Sequence, residues 1–78
     1  YKVYIIKCSD GSLYTGIAKD LDARLETHKQ GLGSKYVRAR LPFTLIYTEE
    51  CKDRSTATKR EMAIKKLTRA EKLKIIRK

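Results

Sequence analysis

The chain has 78 residues, with 19 Lys and Arg against 9 Asp and Glu, a formal net charge of +10. About 60 % of the unfolded surface can be buried at this size, which gives one domain (residues 1–78) with one modest core and excludes a deep cofactor cavity. With 41 % apolar residues in clear periodicity the chain should fold; no apolar run approaches the ~20 residues of a membrane span, and the Val3 to Ile6 stretch is too short for a signal-peptide core, so a cytoplasmic protein is expected.

Lys2 to Cys8 reads as a strand, dense in β-branched and aromatic residues and apolar on both faces from Val3 to Ile6, as in the middle of a sheet. Asp10-Gly11 marks a turn, and Leu13 to Ile17 is the returning strand. Two registers are open. A two-residue loop, Asp10-Gly11, puts Tyr4 and Tyr14 on opposite faces. A three-residue loop, Ser9-Asp10-Gly11, closed by a left-handed Gly11 in a G1 bulge, pairs Ile6 with Tyr14 and Tyr4 with Gly16, which places both tyrosines on one face.

Asp20 is the expected N-cap of the next helix and Gly31 its stop. Leu21 and Leu25 form the expected buried ridge at i, i+4, and Arg24 and His28 a parallel ridge at the same spacing. Spacing alone favours a solvated Arg24 and an ordinary His28 over functional ones. Ser34 is expected to cap a short helix reaching Arg40, which Pro42 ends. Phe43 to Thr48 reads as a third strand, with Phe43, Leu45 and Tyr47 on one face and Thr44, Ile46 and Thr48 on the other. Ser55 is the expected N-cap of a helix through Leu67. Thr68-Arg69-Ala70-Glu71 has the pattern of a capping box, opening a last helix with Leu73 and Ile76 inward. On the preceding helix Glu61 lies four after Ala57 and three before Ile64, at the flank of the apolar stripe. A carboxylate beside a core is costly unless paired or metal-bound; Arg60 and Lys65 are the partners available for an ion pair.

Residues 51–78 hold 11 basic and 3 acidic side chains, against 8 and 6 in residues 1–50. So basic a surface on so small a domain suits a polyanion, because neutralising phosphates releases counterions. A membrane is not expected as partner, since the basic segments also carry the apolar positions the core needs. Cys8 and Cys51 lack the spacing of a metal knuckle or redox motif and are expected to be free thiols.

Lys2-Val3-Tyr4, then Tyr14-Thr15-Gly16 ten residues on, then Arg24, His28 and Glu61 on later helices, form an ordered set that resembles the GIY-YIG nuclease domain, in particular its small single-domain bacterial members. The runs Tyr4-Ile5-Ile6, Cys8 to Ile17, and Arg60-Glu61 to Lys72 carry most of the likeness, which covers essentially the whole chain. The first triplet departs from the family pattern in lacking Gly and Ile, and the second has Thr15 in its middle. The chain contains no Asn, which many family nucleases carry after the glutamate helix. The resemblance implies an α+β fold, a three-stranded antiparallel sheet flanked by helices in the order β-β-α-α-β-α-α, and it selects the register that puts both tyrosines on one face. It implies metal-dependent endonuclease activity on DNA phosphodiester bonds, with low sequence specificity and a place in DNA repair or processing. The alternative is a nucleic-acid-binding module of the same fold with weak cleavage.

By position, Tyr4, Tyr14, Arg24, His28 and Glu61 are then the catalytic residues, Glu61 the ligand of one Mg²⁺ or Mn²⁺ ion, and Gly11 and Gly16 the motif glycines. Tyr4, Tyr14 and His28 each remain open as general base. A Tyr4 base requires a phenol pKa depressed by cations, for which Lys7 and Arg24 are the candidates. Phosphate contacts are expected from Lys7, Lys35, Arg38, Arg40, Lys59 and Arg69, on a protein expected to be a monomer, with a dimer as the alternative.

Overall fold

A computed structural model describes residues 1–77. Lys78, the last residue of the expected domain, lies outside the described residues. Strand β1 (Lys2–Cys8) is the middle of a three-stranded sheet of order β2-β1-β3, with β2 (Leu13–Ala18) and β3 (Phe43–Glu50) both antiparallel to it. The chain continues as β1-β2-α1-α2-β3-α3-α4, with α1 Leu21–Lys29, α2 Lys35–Arg38, α3 Arg54–Lys65 and α4 Arg69–Ile76. This is the α+β order expected.

Because β1 is central, each of its faces is covered, and this is why Val3 to Ile6 are apolar without alternation. Val3, Ile5 and Ile6 are fully buried, each contributing about 1.5–3 kcal/mol of transfer free energy. Val3 and Ile5 pack with Ala57 and Ile64 of α3, and with Ile75 and Ile76 of α4 at the margin. Tyr4 and Ile6 pack on the other face with Val37 of α2, flanked by Leu21 and Leu25 of α1 and by Tyr14 and Phe43.

The hairpin takes the three-residue loop. Tyr4 faces Gly16 and Ile6 faces Tyr14 across the strands. The Gly11 amide bonds the Cys8 carbonyl at 2.9 Å, and Gly11 has φ +85°, a left-handed conformation that costs glycine least. Asp20 caps α1 by accepting from the Ala23 amide, and Gly31 (φ +78°) follows its end. Thr68 and Glu71 form the full capping box of α4. Cys8 and Cys51 are buried free thiols.

Three local expectations are corrected. The N-cap of α3 is Asp53, whose carboxylate accepts from the Thr56 amide at 2.8 Å, so the helix starts before Ser55; it ends at Lys65 rather than Leu67. In β3 the strict alternation breaks: Ile5 faces Tyr47 whereas Ile6 faces Leu45. The bulge at Ile46 turns both Ile46 and Tyr47 toward α3 and leaves Phe43 on the tyrosine face. In α1 the most buried side chain is His28, at 2 % exposure, while Leu21 and Leu25 are half-buried. The imidazole goes deeper because a polar partner waits for it there.

Candidate active site

That partner is Tyr4. Its hydroxyl and His28 Nε2 are 2.8 Å apart, both residues being buried. Tyr14, half-buried on β2, completes a cluster of rings: its centroid lies 6.5 Å from that of Tyr4 and 5.7 Å from that of His28, with Phe43 edge-on to the imidazole at 6.0 Å. Two glycines make the close approach possible. At Gly16, a Cβ would stand 2.5 Å from the Tyr4 hydroxyl oxygen; at Gly33, it would run into His28 Nδ1. Nδ1 itself is buried with no hydrogen-bond partner among the described residues.

Burial disfavours the charged form of each group. It pushes the Tyr4 phenol well above its ordinary value, with the nearby Tyr14 and the Glu61 carboxylate adding to the rise and the Arg24 guanidinium opposing it. It also lowers the His28 pKa below 6.5, helped by Arg24. Tyr4 is therefore a neutral phenol and His28 a neutral imidazole at pH 7. The depressed phenol expected of a Tyr4 base is overturned. Lys7 takes no part, because its odd position in β1 sends it to the face of Val3 and Ile5, and Arg24, the one cation among the described residues that acts on Tyr4, is outweighed by desolvation.

Arg24 and Glu61 act on Tyr4 through their charges, from different helices. α1 and α3 both pack against β2, one of the two edge strands, and so Arg24 and Glu61 both bear on the Tyr4 phenol. Arg24 is exposed. The Glu61 side chain is 18 % exposed, and its Oε2 lies 3.4 Å from Lys65 Nζ, one turn on. Arg60 is engaged instead with Glu49, at 2.8 Å. Among the described residues no three His, Cys, Asp or Glu side chains gather into a metal cage.

The six residues expected on phosphate are scattered. Lys7, Lys35, Arg38 and Lys59 are exposed on β1, both ends of α2, and α3. Arg40 and Arg69 brace the hairpin turn: Arg40 Nε donates to Asp10 at 3.0 Å, and Arg69 Nη1 to the Gly11 carbonyl at 2.7 Å. Sequence reasoning missed Tyr36, which stacks on Tyr14 at 5.8 Å and carries the Arg40 guanidinium 3.9 Å from its ring centre. The i, i+4 spacing of Tyr36 and Arg40 is the signal that could have shown it. It also missed Lys19 and Arg54, which line one cleft with Arg24; their meeting leaves no local trace in the sequence.

Residues 1–74 match the GIY-YIG catalytic domain. A UPF0213 protein from Staphylococcus aureus strain Mu50 is 55 % identical over 75 residues, which are 96 % of this chain and 92 % of that protein. Among solved structures, the solution structure of a UPF0213 protein from Bacillus halodurans superposes with a TM-score of 0.63 at 40 % identity, over 96 % of this chain and 80 % of the other. A solution structure of an E. faecalis protein gives 0.64 at 39 % identity, over 95 % and 80 %. The chain belongs to the GIY-YIG catalytic-domain family, whose members are endonucleases that act on DNA.

Proposed function

We propose that the protein hydrolyses DNA phosphodiester bonds with a divalent metal ion, at a site made by Tyr4, Tyr14, Arg24, His28 and Glu61. The observation that carries this reading is the 2.8 Å bond between a neutral Tyr4 and a neutral His28, in the electrostatic field of one guanidinium and one carboxylate. The donor chemistry fits Mg²⁺ or Mn²⁺: a single carboxylate, Glu61, leaves the other positions to water and to the substrate phosphate, as such ions prefer. When bound, the ion supplies charge stabilisation to the phosphoryl and leaving oxygens.

The side chains do the rest. Arg24 donates to a non-bridging phosphate oxygen and steadies the charge that builds there. Tyr14, on the solvent side of the ring cluster, orients the attacking water. As the water oxygen bonds phosphorus and the phosphorus–sugar-oxygen bond breaks, the water proton passes to the Tyr4 oxygen and the Tyr4 proton to His28 Nε2. The leaving oxygen is protonated from solvent. No free phenolate forms, which is how a phenol with a raised pKa can serve. The relay uses the tautomer of His28 with its proton on Nδ1. Contacts to phosphate carry no sequence information, so specificity should be low, as befits repair or processing of DNA.

Supercoiled plasmid, incubated with Mg²⁺ or Mn²⁺, tests the reading. Nicking should require the metal and should fall more than about tenfold in Glu61→Ala, the loss of at least ~1.4 kcal/mol of transition-state stabilisation. Equal rates for the two proteins would remove Glu61 from the site. The ion pair of Glu61 with Lys65 favours a second reading, a DNA-binding module without efficient cleavage; salt-dependent binding in EDTA with no metal-stimulated nicking is its signature.

The rate should also depend on pH through His28. Its folded pKa lies below 6.5, so the accepting Nε2 is available above that value and is lost as pH falls through it. The acid limb of the pH–rate profile should therefore lie below pH 6.5 and vanish in His28→Gln. The stability contributed by the buried neutral ring has the same sign: fully present above pH 6.5 and lost as pH falls through the folded value. A limb above pH 6.5 would exclude His28 as the acceptor.

A further inference from the structure

Beside the edge of β2 lies a cleft of about 250 Å³ lined by Tyr1, Ile17, Ala18, Lys19, Arg24 and Arg54. Lys19 comes from the link between β2 and α1, Arg24 from the middle of α1, and Arg54 from the first position of α3. All three cations are exposed. Among the described residues none of them has an ion-pair partner, and no carboxylate lines this cleft. Three other basic side chains are tied down, Arg40 to Asp10, Arg60 to Glu49 and Lys65 to Glu61. Three like charges gathered without a counter-charge repel one another until an anion joins them. The cleft falls below the roughly 300–1,000 Å³ of small-molecule pockets, and a forked guanidinium with an ammonium suits a phosphate group. Asp20 lines the two adjoining clefts, one with Lys19 and Arg24 and the other with Asp22, Lys2 and Lys19, so the anion-attracting part is confined to the side of Arg54.

We infer that Lys19 and Arg54 form, together with Arg24, a subsite for a second backbone phosphate of the bound nucleic acid, next to the one that is cut. The inference rests on the nuclease reading for its geometry, since Arg24 is the residue the two phosphates share. Its consequence is that the strand runs along the β2 edge, from the ring cluster toward the start of α3, rather than over α2 with its Lys35, Arg38 and Arg40.

The test is binding of a duplex oligonucleotide in EDTA, followed by NMR on the whole chain and by the salt dependence of the affinity. It compares wild type with the double variant Lys19→Gln/Arg54→Gln, whose exposed positions leave the thermal midpoint unchanged. Signals of Lys19 and Arg54 should move with that of Arg24. The slope of log K against log salt should shrink in the double variant by about 0.9, the value of one duplex phosphate. Shifts confined to α2 with an unchanged slope would overturn the subsite while leaving the nuclease reading intact. Shifts at Lys19 and Arg54 in a protein that never nicks plasmid would uphold the subsite and remove the catalysis. Absence of any DNA binding would overturn both.

Discussion

Tyr4→Phe is expected to slow metal-dependent nicking by about 10²–10⁴, the range over which a positioned proton-transfer group contributes. The substitution removes one oxygen from a side chain that is 1 % exposed and leaves the ring to fill the same space. What is lost is the 2.8 Å bond to His28 Nε2. Stability should fall as well, because the imidazole loses its partner and an unsatisfied buried polar group costs about 1–3 kcal/mol. In a domain of this size each kcal/mol lowers the thermal midpoint by roughly 4–8 °C. Rates should therefore be compared at a temperature at which circular dichroism shows both proteins folded. A Tyr4→Phe protein that nicks plasmid as fast as wild type would place the proton transfer elsewhere, with Tyr14 the remaining phenol.

Gly16→Ala should damage the same bond from the other side. The glycine is buried in β2 opposite Tyr4, and its φ is not positive, so alanine brings no backbone strain. The effect is packing alone. The added Cβ would sit 2.5 Å from the Tyr4 hydroxyl oxygen and 2.7 Å from Cζ, far inside contact distance, so the ring must shift. Overpacking of this kind costs about 1–3 kcal/mol, and the hydroxyl that moves is the one the proton relay needs. Nicking should drop with stability, and more than stability alone explains. Combining the two substitutions separates the causes: phenylalanine lacks the atom struck first, so the double variant should be less destabilised than the two single losses added together. Strict additivity, measured by thermal or urea unfolding, would show that the alanine methyl is accommodated elsewhere.

These two residues mark where local reading stops. The composition of β1 and the Asp20 and Thr68 caps were legible because each is decided by a residue and its nearest neighbours, whereas the left-handed Gly11 and the G1 bulge belong to one of two registers those neighbours allow, the one the family resemblance selects. The start of α3 was misplaced by two residues because Asp53 and Ser55 are both good caps, and only the backbone geometry chooses. The β3 alternation failed at Ile46 because a bulge is a property of a strand pair, invisible along one strand. The depth of His28 was missed because helical spacing ranks leucine above histidine unless a buried hydroxyl is known to be waiting.

The ordered tyrosines, arginine and glutamate, together with the basic balance, are thus the sequence's own contribution, because a motif and a net charge survive without coordinates. Packing of α1 and α3 against the same edge strand decided the rest: which cations meet, which phenol is desolvated, and in which direction its proton affinity moves. Those outcomes depend on distances and on exclusion of water between segments far apart in the chain, quantities that come into being only when the layers close.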